Sequence, residues 1–146
     1  NLISRYYEFQ EGEILLDGMD IRSISLSSLR SKVAVVLQDV FLFNTSVLEN
    51  ITLGKEEIEL DEVIEAAKKV GVHGFISQLD GSYEFQVKER GGVLSSGQRQ
   101  LISFLRAYIC KPDLLILDEA TSALDNPTQE TITKSLESFL LMIEFI

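Results

Sequence analysis

Two short apolar runs stand out along the chain, and their pattern predicts strands buried inside a sheet. Val33 to Leu37 is an uninterrupted run rich in β-branched residues, and Leu114 to Leu117 is a second aliphatic run. Continuous apolar runs of this length are typical of strands covered on both faces in a parallel sheet. Between the two runs, apolar residues recur every three or four positions, which predicts helices. Strands that alternate with helices indicate an α/β fold.

Residues that favour helix ends set the limits of the predicted helices. Asp61 is expected to cap a helix that ends at Gly71. Ser95 or Ser96 is expected to cap a second helix, which Pro112 terminates. The other predicted elements are a helix end over residues 1–7, a strand at 13–16 closed by a turn at Asp17-Gly18, a short helix within 22–32, and a helix from Asn126-Pro127 to about Leu136.

Composition then narrows the class of protein. The 146 residues are 45% hydrophobic and 25% charged, which is typical of one globular domain. The net charge of −10 argues against a nucleic-acid partner. A single cysteine, Cys110, excludes an internal disulfide and fits a reducing compartment. The longest strongly apolar stretch, residues 139–146, is far shorter than the roughly 20 residues that span a bilayer. We therefore expect a soluble chain without a secretory signal.

Polar residues that directly follow the apolar runs are the candidates for chemistry. Asp118 and Glu119 follow the second run, where a carboxylate can hold hydrated Mg²⁺ or deprotonate a water. Gln38 follows the first run and can ligate a cation without adding charge. Residues 94–98, Leu-Ser-Ser-Gly-Gln, precede a helix and can form an anion cradle. Taken singly, each motif also fits a purely structural role. Asp118-Glu119 can simply end a strand, Gln38 can be a polar residue that leaves the sheet, and residues 94–98 can contain an ordinary serine N-cap.

The order and spacing of these motifs favour the chemical interpretation. Residues 38–43 read Gln-Asp-Val-Phe-Leu-Phe, 94–100 read Leu-Ser-Ser-Gly-Gln-Arg-Gln, and 122–125 read Ser-Ala-Leu-Asp after the Asp118-Glu119 pair. From about Glu13 to Leu136 the chain resembles the nucleotide-binding domain of ABC transporters. Val47 to Ile51 and Glu89-Arg90-Gly91 are similar to segments of the exporter subclass. The resemblance implies a partial P-loop NTPase fold, with a single partial domain over 1–146 and an inserted helical subdomain at about 44–106.

The resemblance also implies roles for individual residues around ATP and Mg²⁺. Gln38 would sense Mg²⁺ and the attacking water and link the domain to a transmembrane partner. Asp118 would support Mg²⁺, and Glu119 would be the general base.

A second set of residues would face an opposing subunit. Ser95, Ser96, Gly97 and Gln98 would form the signature motif, which contacts the γ-phosphate of ATP held mainly by that subunit. Asp125 would belong to the D-loop at the interface. Ser96 stands where the family usually has glycine, so a Cβ and a hydroxyl are added near the phosphate. The implied partners are a second nucleotide-binding domain, in a head-to-tail dimer, and the exporter's transmembrane domains.

Two family features are missing from the sequence. The phosphate-binding pattern GxxxxGK[ST] does not occur, since Gly54-Lys55 is followed by Glu56. The sole histidine, His73, precedes the signature motif, so it is not the family's switch histidine and is expected on the surface. We expect the chain to begin just after the P-loop. The tail at 139–146 is interpreted either as a core strand or helix end or as an altered reading frame.

These observations favour a fragment of an ABC exporter ATPase at the cytoplasmic face of a membrane, inactive alone. With neighbouring strands missing, its exposed sheet surfaces would favour oligomerisation. A noncatalytic module that lends its signature motif to an intact ATPase is the alternative, and nucleotide-dependent association would favour it. An ABC ATPase of DNA maintenance is a third interpretation. The acidic charge and the short separation between Gln38 and Leu94, too small for a coiled-coil insertion, argue against it.

Overall fold

Helices and strands alternate as the hydrophobic pattern predicts. The structure is a computed structural model that describes residues 2–37, 39–88 and 93–117. The strands are β1 (Leu15–Leu16), β2 (Met19–Asp20), β3 (Val33–Val36) and β4 (Leu114–Leu117), and the α-helices are α1 (Leu26–Lys32), α2 (Val47–Thr52), α3 (Leu60–Val70), α4 (His73–Ile76) and α5 (Ser96–Ile109). Single 3-10 turns occur at Ile21–Ser23 and Ser82–Glu84.

The two apolar runs pair with each other as parallel strands. Val33 lies opposite Leu114, and Val36 lies opposite Leu117. The two strands therefore end side by side at the same edge of the sheet. This register confirms the predicted parallel arrangement and, with it, the α/β class.

A small antiparallel hairpin precedes α1. β1 and β2 pair through Leu15–Asp20 and Leu16–Met19. Asp17 and Gly18 connect the two strands, with φ angles of 51° and 78°, respectively. Positive φ at both central positions is the hallmark of a type I′ turn, which explains why Asp-Gly predicts a tight hairpin here.

The main hydrophobic core lies between one face of the β3–β4 sheet and helices α2, α3 and α5. Ile51, Val63, Ile102 and Leu105 are among its fully buried members. Burying one such side chain stabilises a fold by about 1.5–3 kcal/mol. On the opposite face of the sheet, Val33 forms a smaller core with Leu29 of α1 and with Ile21. Helix α5 is thus fixed between the sheet and helices α2 and α3.

Three local predictions need correction. Asp61 does not cap α3, because the helix begins at Leu60 with Glu59 at the N-cap and Asp61 lies in the first turn. Residues 2–7 form turns rather than a helix end, and Arg5 has a positive φ of 49°. An isolated helical turn is unfavourable because nucleation fixes several residues for one hydrogen bond. His73 is half-buried rather than a surface residue, and its Nδ1 lies 3.0 Å from the hydroxyl of Tyr83.

The predicted elements beyond residue 117 lie outside the described residues. These are the helix that opens at Asn126-Pro127 and the apolar tail at 139–146.

Candidate functional site

The serine-glycine segment forms the N-terminus of α5, the 14-residue helix packed against the sheet. Ser95 is the N-cap, with its backbone in the extended region. Its Oγ accepts a hydrogen bond from the backbone N–H of Gln98 at 3.1 Å, and Gln98 Oε1 accepts one from the N–H of Ser95 at 2.9 Å. This reciprocal pair is a capping box. The structure therefore selects Ser95, not Ser96, as the cap.

The capping box determines which N–H groups remain available for a ligand at the N-terminal end of α5, which we call its mouth. The first N–H groups of a helix have no carbonyl partner within it. Gln98 has its N–H satisfied by Ser95, whereas the N–H groups of Ser96 and Gly97 make no hydrogen bond within the described part of the chain. The Ser96 side chain is exposed and Gly97 is buried. Two free N–H groups at the positive end of a helix dipole can bind an anion such as phosphate.

Arg99 holds the turn that leads into α5. Its Nη1 donates a hydrogen bond to the carbonyl oxygen of Leu94 at 2.8 Å. The Leu94 side chain is buried in the main core. Leu94 is therefore held both by its backbone carbonyl and by its side chain, which fixes the start of α5 relative to the core.

Gln38, Asp118, Glu119 and Asp125 lie outside the described residues. Within residues 2–37, 39–88 and 93–117, no three histidine, cysteine or acidic side chains come close enough to hold a metal ion. The structure places the ends of β3 and β4 side by side. In the sequence, Gln38 follows β3, and Asp118, Glu119 and Asp125 follow β4.

An aromatic surface follows β3. The rings of Phe41 and Phe43 meet edge to face, with centroids 5.2 Å apart, and about half of each side chain is exposed. Phe43 also lines a groove of about 540 Å³ with Thr45, Glu49 and Leu53. We call Phe41, Phe43 and this groove the aromatic surface. Exposed apolar groups gathered in one place are typical of a contact site for another protein segment.

Asn50 holds the backbone of this surface from inside. The residue is fully buried in α2. Its Oδ1 accepts a hydrogen bond from the N–H of Phe43 at 2.8 Å, and its Nδ2 donates to the Phe43 carbonyl at 3.0 Å. Nδ2 also donates to the Ser46 carbonyl at 3.0 Å and to Thr45 Oγ1 at 3.2 Å. A buried amide with its polar atoms satisfied in this way rigidifies its surroundings.

Arg106 connects the same network to α5. Its Nε donates to the carbonyl of Asn50 at 2.7 Å, and Nη2 donates to Asn50 Oδ1 at 3.2 Å. Nη1 lies 3.4 Å from the carbonyl of Phe41, to which it donates. Burial lowers the pKa of the Arg106 guanidinium, although an arginine stays protonated at physiological pH. Sequence analysis missed this pair, because polar residues also occur at other buried positions of the two helices, such as Thr52 and Gln100, and give no distinguishing pattern.

A second cavity, of about 270 Å³, runs along the side of β3 opposite β4. It is lined by β3, by α1 residues such as Arg30, by α5 residues such as Ser103, and by Cys110, the C-cap of α5. None of the predicted site residues lines it. It is therefore separate from the mouth of α5.

Known proteins resemble this chain over most of its length. The family model for ABC transporters matches residues 1–122. An uncharacterised ABC transporter ATP-binding protein of Bacillus subtilis, YknV, is 47% identical over 96% of this chain and 23% of its own length. ABC transporter B family member 18 of Arabidopsis thaliana is 47% identical over 94% of this chain and 11% of its own length.

A solved structure agrees with these relatives. The structure of a bacterial Atm1-family ABC exporter with ATP bound superposes with a TM-score of 0.85 at 38% identity, and the match covers 94% of this chain and 24% of that one. The chain belongs to the ABC transporter family. It spans about a quarter or less of the length of these relatives. None of the helices in the described ranges combines the length and apolar character needed to cross a membrane.

Proposed function

We propose that this chain supplies the signature-motif half of a composite ATP site in the ATPase part of an ABC exporter. The ATP would be held mainly by a second nucleotide-binding domain, arranged head to tail with this one. One observation carries the proposal: beside the Ser95–Gln98 capping box, the N–H groups of Ser96 and Gly97 have no acceptor among the described residues, at the mouth of a long, well-packed helix.

The mouth of α5 suits the γ-phosphate chemically. Its free N–H groups donate to phosphate oxygens, and the helix dipole favours negative charge there. The exposed Ser96 hydroxyl makes no hydrogen bond to any residue that the structure describes, so it is free to add a third donor. The buried Gly97 adds no side chain beside these donors. These donors would stabilise charge that develops on the phosphoryl group during transfer.

We assign Mg²⁺ binding and activation of the attacking water to residues that follow β3 and β4 in the sequence. Gln38 comes two residues after Val36, and Asp118 and Glu119 directly follow Leu117, the partner of Val36 in the sheet. The shared edge at which β3 and β4 end supports the assignment of Gln38 and Asp118 to Mg²⁺, and of Glu119 to deprotonation of the attacking water. Mg²⁺, when bound, neutralises charge on the phosphates. Asp125 would contact the opposite domain.

A consequence is that this chain alone should not turn over ATP. Its 146 residues contain no GxxxxGK[ST] motif, whose amides and lysine cradle the β- and γ-phosphates. Losing that cradle removes the positioning on which phosphoryl transfer depends. A titration with Mg-ATP tests this consequence, and micromolar affinity with turnover by the chain alone would contradict it.

The aromatic surface is the natural place for the transmembrane partner of an exporter. It lies in the segment between β3 and α2, at the start of the proposed helical subdomain over about residues 44–106. Phe41, Phe43 and Leu53 offer exposed apolar area there. An ATPase so attached would work at the cytoplasmic face of the membrane.

Association with a complete nucleotide-binding domain tests the proposal directly. Sedimentation of the chain with that domain should show a complex with Mg-ATP and little complex with Mg-ADP. Ser96→Asp should weaken the complex at least tenfold, because a carboxylate would face the γ-phosphate; two like charges about 4 Å apart repel by about 4 kcal/mol at an effective dielectric of about 20.

A matched control separates phosphate repulsion from a general effect of charge. Ser27→Asp adds the same charge near the N-terminus of α1, where Ser27 is exposed. An acidic residue favours folding at either helix start, so neither variant should lose stability. Equal association of both variants with the ATP-loaded domain would refute the proposed role of Ser96.

A further inference from the structure

The backbone of the aromatic surface is held by side chains from two helices rather than by its own strand or turn. Asn50, from α2, brackets Phe43 by bonding both its N–H and its carbonyl. Arg106, from α5, donates to the Phe41 carbonyl and twice to Asn50. The two exposed rings therefore rest on one polar network. We call Asn50 and Arg106 the clasp.

The clasp also connects the aromatic surface to the proposed phosphate-binding helix. Arg106 lies on α5, ten residues after Ser96 at its mouth. Helix α5 is continuous between these two positions and buries most of its residues on that stretch. A displacement of the helix mouth toward or away from a phosphate would therefore displace the guanidinium as well. Because α2 also packs against α5 in the main core, Asn50 would move with it.

We propose that Asn50 and Arg106 are positioning residues that couple nucleotide binding at the mouth of α5 to the aromatic surface where a membrane partner docks. The inference deepens the proposed function and rests on it. Such coupling is reciprocal: whatever nucleotide does to docking, docking does to nucleotide affinity. The partner recognised is an apolar or aromatic segment, since the rings offer no charge.

The geometry makes arginine specific at position 106. Its planar fork reaches three acceptors, on Phe41 and on the backbone and side chain of Asn50. Lysine keeps the charge but has a single ammonium that does not reproduce this fork. Arg106→Lys is therefore the conservative change that breaks the clasp, and Asn50→Ala breaks it from the other side.

The experiment uses the whole transporter that contains this chain, reconstituted in nanodiscs. Phe43→Cys, placed in a background whose other reactive cysteines are replaced, carries a nitroxide spin label that reports on the aromatic surface. Its mobility is recorded without nucleotide and with Mg-ATP and vanadate, and TNP-ATP binding is measured in parallel. In the parent the nucleotide should change the label's mobility. Arg106→Lys and Asn50→Ala should each reduce that change at least threefold while TNP-ATP binding stays saturable.

Arg30→Lys is the matched control. Arg30 also donates to two backbone carbonyls, those of Ser4 and Arg5, but it lies on α1 beneath the opposite face of the sheet. This variant should respond as the parent does. Normal TNP-ATP binding with an unchanged label response in Arg106→Lys and Asn50→Ala would overturn the inference alone. Loss of saturable TNP-ATP binding in the parent would overturn the proposed function and the inference with it.

Hydrogen exchange in the unsubstituted transporter covers the case in which the clasp variants fail to fold. The Phe43 amide, bonded to Asn50 Oδ1, should exchange at least threefold more slowly with Mg-ATP and vanadate. The Ser28 amide, capped by Ser25 in α1, should be unaffected. An unchanged rate at Phe43 would overturn the inference without any substitution.

Discussion

Replacing Ser95 with alanine tests how the mouth of α5 is built. The change removes the Oγ that accepts the Gln98 N–H at 3.1 Å and so breaks one half of the capping box. Ser95 is exposed, so water can replace the lost acceptor and the loss stays moderate. Serine N-caps contribute about 0.5–2 kcal/mol, so we expect the free energy of unfolding to fall by about 1 kcal/mol. For a domain of this size, the corresponding drop in Tm is about 2–4 °C.

Ser96→Ala is the internal control for this measurement. The two serines are neighbours, but only Ser95 makes a capping bond. The Ser96 variant should stay within about 0.5 kcal/mol of the parent, as exposed substitutions usually do. Urea unfolding followed by far-UV circular dichroism gives both values. Equal losses, or a larger loss for Ser96→Ala, would refute the assignment of Ser95 as the cap.

Two further predictions address the core and the pH dependence of stability. Leu105→Ala should lower the free energy of unfolding by about 2–5 kcal/mol, because Leu105 is fully buried. As a control, Leu60→Ala at an exposed position of α3 should lower it by less than about 1 kcal/mol in the same urea titration. Burial raises the pKa of the Tyr83 phenol above its ordinary value of 10.0, so the unfolded chain loses this proton first and the stability is lost as pH rises through and above that value. Tyr83→Phe should therefore flatten the decline between about pH 9 and 11 that urea titrations measure in the parent; an equally steep decline would contradict this cause.

Local chemistry made much of the fold predictable from sequence. Asp17-Gly18 predicts the I′ hairpin because both residues tolerate positive φ. Gly71 ends α3 in the left-handed region for the same reason. The apolar runs at Val33 and Leu114 predict strands of a parallel sheet. They do pair in parallel, although the residues of β4 are half-buried or exposed rather than buried on both faces.

Other features depend on tertiary contacts that a sequence does not display. Asp61 satisfies the rule for an N-cap, yet α3 begins at Leu60 and places it in the first turn. His73 reads as a surface residue by position, but Tyr83, ten residues later, packs beside its ring. The clasp joins Asn50 and Arg106 across 56 positions. Polar residues so far apart give no local pattern, so only the fold shows that they belong together.

The candidate site is predictable only in its order along the chain. The motif at 94–98 indicates an anion site. The structure adds that Ser95 and Gln98 are used in capping, while the N–H groups of Ser96 and Gly97 bond to no residue within 2–37, 39–88 and 93–117. The roles of Gln38, Asp118, Glu119 and Asp125 remain proposals, since they rest on the family resemblance and on the paired ends of β3 and β4.

Vanadate photocleavage tests most directly whether the mouth of α5 faces the γ-phosphate. Vanadate trapped with Mg-ADP in the whole transporter occupies the γ-phosphate position, and ultraviolet light then cuts the polypeptide beside it. Mass spectrometry of the fragments should locate a cut within Ser95–Gln98. If the transporter traps vanadate and is cut elsewhere while this segment stays intact, the mouth of α5 does not contact the phosphate and the central claim is wrong.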